Sequence, residues 1–341
     1  MPSISPILLK LCRREDLTRE EASAAFDYIM SGQASDAQIG GLLVGMASKG
    51  TTVEELVGAA TVMREKVISI ACNPPGGVIL DTCGTGGDVR GTFNISTAAA
   101  IIAASCGVKV VKHGNRSASS KSGSADVLEK LGVKLEVSPA TLQNCLNEAN
   151  ICFAFARNHH PAMKFVGAAR TSLGIPTIFN LLGPLTNPGA ARHQLIGVFA
   201  PELTDRLATV LRELGSKRAW VVHAEDGLDE LSTMGPTRVS ELKDGHIRMW
   251  SLDPASLGLA NARLSDLQVN SVDEAADVLR RILWGEPGSQ REIALLNAAA
   301  AMVVAEKCKD LADAMLMASE SLESGKAAKT LEKLVHCSQQ S

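Results

Sequence analysis

The strongest constraint on the fold is the stretch Asp81–Asp126, DTCGTGGDVRGTFNISTAAAIIAASCGVKVVKHGNRSASSKSGSAD. An apolar run, Val78–Leu80, enters a glycine loop, Gly84-Thr85-Gly86-Gly87-Asp88. A small-residue helix follows, starting at Ser96 or Thr97 and stopping at Gly107, and then a second apolar run, Val108–Val111. A second loop, rich in Ser, Gly and basic residues, leads to another helix that begins at Ser124 or Asp126 and stops at Gly132. This alternation predicts parallel strands joined by helical crossovers. Two flexible loops at the ends of two successive strands make a site, and their chemistry points to a phosphorylated ligand.

Residues 1–72 have a different pattern, with helices only. Thr18-x-x-Glu21, Ser35-x-x-Gln38 and Thr52-x-x-Glu55 are three capping boxes, each before an apolar periodic run. Gly32 and Gly50 stand where helix C-caps are expected. Asn73-Pro74-Pro75-Gly76-Gly77 then marks a boundary. Beyond the opening stretch, Val133–Val137 is a candidate short strand, and Ser138-Pro139 opens a helix that runs to Glu148. Ile151–Ala156 is a strand and His160–Leu173 a helix. The following segment, to Arg192, has no strand signal and is free to fold back onto the N-terminal helices. Strands are expected again at Leu195–Phe199 and Ala219–His223, with a hairpin over Arg238–Leu252 that turns at Asp244-Gly245. Three periodic helices follow, Ser271–Trp284, Glu292–Cys308 and Asp310–Leu322. The expected fold class is α/β. Residues 1–72, with a returning segment near 160–186, form a small α-helical domain. Residues 73–159 and 187–341 form a large domain with a mostly parallel central sheet flanked by helices.

Composition narrows the function. The chain of 341 residues is 45% hydrophobic and carries a formal net charge of -3, with no basic tail or stripe. Nucleic acid and anionic membrane are therefore poor partners. Aromatics at 3% also argue against base stacking as a binding mode. The eight cysteines show no metal-ligand spacing and read as reduced thiols in a reducing compartment. No leader-like segment and no run of ~18 apolar residues is seen, so a cytoplasmic protein is expected.

The loops carry the chemistry. Gly84-x-Gly86-Gly87 lets a ligand approach the backbone, and consecutive N–H groups there make an anion nest beside a helix N-terminus. Taken alone, this loop is equally a tight strand-to-helix turn. It lacks the Gly-Lys-Ser/Thr ending of a Walker loop and the spacing of a dinucleotide loop. Asp88 beside the nest suits a ligand hydroxyl or bound cations, or else caps a turn. Asn94-x-Ser96-Thr97 supplies polar groups at the helix start, one of which is expected to cap it. Lys112 to Ser124 concentrates cations and hydroxyls where a multiply charged anion needs them. Asp226-Gly227-Leu228-Asp229-Glu230 places adjacent carboxylates after a strand, which suits Mg²⁺ that also binds ligand phosphates. His159-His160 and Lys164 fit a substrate-side polar role better than metal binding.

The combination GTGGD, TFNIST, KHGNR with SSKSGSADVLE, HHPAMK, FNLLGPLTNP and DGLDE resembles the anthranilate phosphoribosyltransferases over nearly the whole chain. The resemblance implies a homodimer and transfer of ribose 5-phosphate from phosphoribosyl pyrophosphate to the anthranilate amino group, releasing pyrophosphate with Mg²⁺, two ions per monomer. It leaves association with anthranilate synthase open. By the same resemblance Gly84, Gly87, Asp88, Thr92, Asn94, Ile95, Ser96 and Thr97 contact phosphoribosyl pyrophosphate. So do Lys112, His113, Gly114, Asn115, Arg116, Ser117, Ala118, Ser119, Ser120 and Ser124. Ser96, Asp229 and Glu230 match the Mg²⁺ ligands. Gly84, Asn115, His160, Arg170, Gly183 and Pro184 match the anthranilate pocket, with Arg170 suited to the acid's carboxylate. Val89 stands where the family has glycine or a small residue and puts the shape of the first loop in question, and Ala224 stands where glycine is usual. No acid–base residue is required, because an aromatic amine is already unprotonated at pH 7. A pyrimidine nucleoside phosphorylase and a non-catalytic nucleic-acid-binding relative are the rival readings. KHGNR and GPLTNP argue against the first, and the negative charge with intact Asn115, Arg170, Asp229 and Glu230 argues against the second.

Overall fold

The computed structural model describes residues 4–72, 77–88, 90–117, 122–259 and 262–340. The N-terminal part is four helices, α1 (Ser5–Cys12), α2 (Arg19–Met30), α3 (Asp36–Lys49) and α4 (Val53–Glu65). All three capping boxes form: the Thr18, Ser35 and Thr52 side chains accept from the backbone N–H three residues on. Gly58 lets α2 and α4 pack closely, because a Cβ there would run into the Arg19 carbonyl and Ala22. The expected linker boundary at 73–76 lies outside the described residues.

The sheet then builds in alternation. Strand β1 (Leu80–Gly84) leads to α5 (Ile95–Ser105), and β2 (Val110–Gly114) to α6 (Ser124–Lys130) and α7 (Pro139–Glu148). After β3 (Ile151–Phe155) come α8 (Ala156–His159), a 3-10 turn at Pro161–Phe165, α9 (Gly167–Leu173), α10 (Ile178–Leu182) and a second 3-10 turn at Gly183–Leu185. The sheet resumes with β4 (His193–Gly197), α11 (Glu202–Glu213), β5 (Arg218–Ala224) and the hairpin β6 (Thr237–Lys243) and β7 (His246–Leu252). Helices α12 (Leu264–Leu267), α13 (Val272–Leu283), α14 (Ser289–Val304), α15 (Leu311–Glu323) and α16 (Lys326–Gln339) complete the chain. No helix among the described residues is long and apolar enough to cross a membrane.

The strand order is β3-β2-β1-β4-β5-β6-β7, parallel through β5 and antiparallel in the hairpin. Chain progression reverses between β1 and β4, and the carboxyl ends of strands beside such a switch point open into a crevice. One apolar cluster lies around α5 and α14, both buried on nearly every side. A second joins α2, α3 and α4 to Val166, Ala169, Ile178, Phe179 and Leu182, and to α11 and one sheet face.

Three expectations need correcting. Val133–Val137 is a turn rather than a strand: Val133 N–H bonds back to Leu128, and Lys134 N–H is taken by Ser338 of α16. The helix expected over His160–Leu173 is instead a 3-10 turn and α9: His160 (φ -118, ψ 65) and Pro161, which has no N–H, part the turn from α8, and Val166 (φ -112, ψ -8) parts it from α9. Helix α16 follows its left-handed Gly325 (φ 72) and was not anticipated.

Candidate active site

The glycine loop leaves β1 at the switch point. Gly86 and Gly87 have φ of 65° and 92°, the left-handed region that their residue type permits. The loop is fixed on one side by Thr85 N–H on the Gly197 carbonyl (2.9 Å). On the other side Gly91 and Phe93 bond to Val269 and Leu267, beside a bridge between Thr92 and Gln268.

Gly84 and Gly197 are register partners at the ends of β1 and β4, and Asp229 lies over both. A Cβ at Gly84 would come within 2.6 Å of the Asp229 carboxylate, and one at Gly197 would overlap the Asp229 carbonyl oxygen. Two glycines therefore form the notch that admits the acidic loop. That loop is held by Asn297 of α14, which accepts from Leu231 N–H (3.0 Å) and donates to the Leu231 carbonyl (2.8 Å). Asp226 is used within the loop, accepting from Leu228 N–H and from the Ser232 hydroxyl.

Asp229 and Glu230 face the start of α5. The Ser96 N–H donates to Glu230 Oε1 at 3.1 Å. This corrects the capping expectation: Asn94 is the N-cap residue but makes no side-chain cap bond, and its amide donates to the Ser122 carbonyl. Glu230 instead meets an open donor at the helix end. Burial, then the Asp88 carboxylate, pushes Asp229 up to about 7. Burial and Asp229 push Glu230 well above the carboxylate range, with Lys112 pulling the other way. Crowded, half-buried carboxylates of this kind are hard oxygen donors in need of positive charge, and they fit a divalent cation. Among the described residues no group of three or more His, Cys, Asp or Glu side chains is arranged to hold a metal.

Lys112, expected among the loop cations, is a buried strand residue. Its ammonium donates to the Thr82 carbonyl (2.6 Å) and to Ser96 Oγ (3.3 Å). It reaches the site from beneath, through the Ser96–Glu230 pair. Burial lowers its pKa, opposed by Asp81, Cys83 and Glu230. Arg116 is turned outward into a fork on Glu129 (2.7 and 2.9 Å) and Asp126 (2.9 Å). Asp126 also accepts from Ser117 N–H and Gly123 N–H, folding the second loop over the start of α6. Ala118, Ser119 and Ser120 lie outside the described residues, as does Val89.

On the other sheet face His113 is buried against His160, with 3.1 Å between their Nε2 atoms. Burial, and for His113 the neighbouring His160, lowers their pKa values to about 3 and about 4, so both rings are neutral at pH 7. His113 Nδ1 lies 3.2 Å from the Gly183 carbonyl and must donate to it. His113 Nε2 is then the acceptor and His160 Nε2 the donor. Arg170 of α9 stacks 4.8 Å over the Phe179 ring and makes no ion pair among the described residues. A neutral imidazole pair, the Gly183-Pro184 turn and a half-buried guanidinium without an acid partner suit a planar organic acid.

The Glycosyl transferase family helical bundle domain matches residues 5–67, and the a/b domain of the same family matches residues 76–328. The anthranilate phosphoribosyltransferase of Rhizobium johnstonii is 49% identical over 335 residues, covering 98% of each chain. The chain belongs to the anthranilate phosphoribosyltransferase family. The Thermus thermophilus enzyme superposes with a TM-score of 0.91 at 40% identity, covering 97% of this chain and 99% of its own. The Saccharomyces cerevisiae enzyme, solved with phosphoribosyl pyrophosphate and Mg, gives 0.90 at 27% identity and covers 99% and 98%. Anthranilate phosphoribosyltransferases thus share this chain's small helical domain and its α/β domain with a seven-stranded, mostly parallel sheet.

Of the described residues that the resemblance assigned to phosphoribosyl pyrophosphate, most fall on the glycine loop, the start of α5 and the second loop, while Lys112 and His113 are buried in β2, Lys112 beneath Ser96 and His113 against His160. Of those assigned to anthranilate, His160 and the Gly183-Pro184 turn meet His113; Arg170 lies over Phe179, Gly84 lies at the Asp229 notch, and exposed Asn115 on the second loop has its Oδ1 accepting from Arg116 N–H. Sequence reasoning missed Arg90, whose guanidinium lies against Gly227 of the acidic loop, and Asn297, which clamps that loop. A lone Arg after a glycine loop and an Asn inside an Ala-rich helix give no linear signal. Only the fold brings them to the site.

Proposed function

We propose that the switch-point crevice is the centre for transfer of the 5-phosphoribosyl group from phosphoribosyl pyrophosphate to the anthranilate amino group. The chain is an anthranilate phosphoribosyltransferase, and the glycine notch that brings Asp229 and Glu230 against the glycine loop and Ser96 is the observation that carries the site reading. The glycine-loop N–H groups and the N-terminus of α5 hold phosphate oxygens. Asp229, Glu230 and Ser96 hold Mg²⁺, two ions in all, whose charge offsets that of the leaving pyrophosphate. Mg²⁺ bound there would take further oxygens from the ligand phosphates. Arg170 binds the anthranilate carboxylate, and the Gly183-Pro184 turn with the neutral His pair walls the ring, so that the amine is oriented toward ribose C1. No side chain needs to take a proton before attack, because the amine is already unprotonated.

We take 1–72 and 160–186 as the small domain and 73–159 and 187–341 as the large one, with one apolar cluster running from α2, α3 and α4 through the returning segment to α11 and the sheet. Exposed Leu9 of α1 and Val44 of α3 favour pairing of two copies through the small domain, and eight free cysteines favour a reducing compartment such as the cytoplasm. The test is the Asp229→Asn, Glu230→Gln double variant, followed by the loss of anthranilate fluorescence on adding phosphoribosyl pyrophosphate and Mg²⁺. Turnover should fall by at least ~100-fold with the circular dichroism spectrum unchanged. Near-normal turnover at ordinary Mg²⁺ would refute the metal assignment.

A further inference from the structure

Strand β1 pairs over five residues with β4, and β2 over five residues with β3, but β1 and β2 share a single register pair, Leu80 and Val110. The sheet therefore splays between β1 and β2 just below the site. Side chains replace the missing ladder: Asp81 Oδ1 accepts from His113 N–H (3.1 Å), and Asn187 donates to the Val111 carbonyl (2.7 Å).

Asp81 and Gln194 are register partners on adjacent parallel strands, so their side chains share one face. Both are fully buried. The Gln194 amide donates to the Pro184 carbonyl at 2.7 Å, while Asp81 fixes the strand end whose imidazole donates to the Gly183 carbonyl. Gln194 of β4 and His113 of β2 thus converge on consecutive carbonyls of one turn, and Asp81, on β1 between them, holds the backbone of His113. Gln194 Oε1 completes no hydrogen bond among the described residues, and Asp81 Oδ2 completes none of good geometry although Asn187 and Cys83 lie beside the carboxylate. A fold that needed only stability has little use for a carboxyl and an amide here, since apolar residues of similar size avoid both desolvation costs.

We propose that Asp81 and Gln194 are positioning residues for the acceptor half of the site, holding the Gly183-Pro184 turn at the depth that the aromatic acid requires. The inference rests on the reading of that turn as the wall of the anthranilate pocket. Neither residue touches substrate. The effect of Gln194 passes through the turn alone, whereas Asp81 acts through His113 and also, by its charge, on Lys112 beneath Ser96.

The test is a set of three variants, Gln194→Met, Asp81→Ala and Asp81→Asn, with KM measured separately for anthranilate and for phosphoribosyl pyrophosphate, and phosphoribosyl pyrophosphate binding followed by calorimetry. Gln194→Met keeps the volume and removes the donor to Pro184, so KM for anthranilate should rise about tenfold while KM and Kd for phosphoribosyl pyrophosphate stay within about twofold. Asp81→Ala should raise KM for anthranilate by a similar factor, with a further change for phosphoribosyl pyrophosphate because Lys112 loses its neighbouring carboxylate. Asp81→Asn keeps an oxygen for His113 N–H and should hold KM for anthranilate within about threefold of wild type. An active wild type whose Gln194→Met variant has unchanged KM for anthranilate, or shows both KM values rising together, overturns this inference alone. A wild-type chain that forms no phosphoribosyl anthranilate refutes the functional reading itself.

Discussion

Replacing Gly197 by alanine tests whether the site depends on the notch at the switch point. The added Cβ would overlap the Asp229 carbonyl oxygen and would also press on the Asp229 carbonyl carbon and Cα, so no rotamer change relieves it. The acidic loop has to retreat by on the order of 1.5 Å before the new contact reaches 3.0 Å, the limit below which such contacts are essentially never found. The loop is anchored a few residues on by Asn297, so the retreat is concentrated at Asp229 and Glu230. A misplacement of about 1 Å in a catalytic constellation costs roughly 100-fold in rate, and overpacking costs about 1–3 kcal/mol in stability. Gly197→Ala should therefore lose about 100-fold in kcat/KM, need more Mg²⁺ for half-maximal activity, and melt only modestly earlier. Gly235→Ala is the control, because a Cβ there meets nothing within 4 Å and no left-handed φ is involved. The assay is fluorescence loss of anthranilate across a Mg²⁺ titration, with melting by circular dichroism. A folded Gly197→Ala variant with wild-type kcat/KM and Mg²⁺ dependence would refute the claim that the glycine pair sets the position of the metal-binding acids.

The neutral histidine pair makes stability depend on pH. His113 and His160 bind protons only near pH 3 and 4 in the fold but near 6.5 when unfolded, with His159 and, for His113, Lys112 adding to burial. Below pH 6.5 the unfolded chain holds the extra protons, so stability falls with falling pH by up to about 1.4 kcal/mol per pH unit for each ring. Asp229, raised to about 7, titrates with the opposite sign over this range, so the ring is read as a difference: between pH 6.5 and 5 the wild type should lose up to about 1.4 kcal/mol per pH unit more than His160→Gln, and equal slopes in melting curves would contradict the assignment. In the small domain, Glu55 is fully buried, accepts from Leu17 N–H (2.9 Å) and Thr52 N–H (2.9 Å), and pairs with the buried Lys49 ammonium at 2.8 Å. Glu55→Ala leaves that cation with the Gly50 carbonyl and exposed Asp16 as partners and should cost about 3 kcal/mol in urea unfolding, where a loss under about 1 kcal/mol would show the network to be dispensable.

The sequence was informative wherever one residue type solves a local backbone problem. Thr18, Ser35 and Thr52 announce helix starts because each satisfies an orphan N–H within three residues, and all three do so in the fold. The Asp244-Gly245 turn is legible for the same reason, since both residues take positive φ. Local logic failed where a distant group intervened. Asn94-x-Ser96-Thr97 has every mark of a capped start, yet Glu230, 134 positions from Ser96, receives the free N–H. Val133–Val137 has strand propensity, but its backbone groups are used by Leu128 and by Ser338. Lys112 reads as a loop cation because KHGNR is basic, but strand periodicity carries its side chain into the core beneath Ser96. The same separation explains why the glycine loop could be taken for a phosphate nest while its exactness of placement could not: Gly84 and Gly197 are far apart in the chain, and only the β1–β4 register makes them one notch. The chemistry of the site is thus written locally, in Gly, Asp, Glu and Arg. Its geometry is set by residues such as Gly197, Asn297 and Gln194, whose side chains, or lack of one, acquire meaning only from the strands and helix they meet.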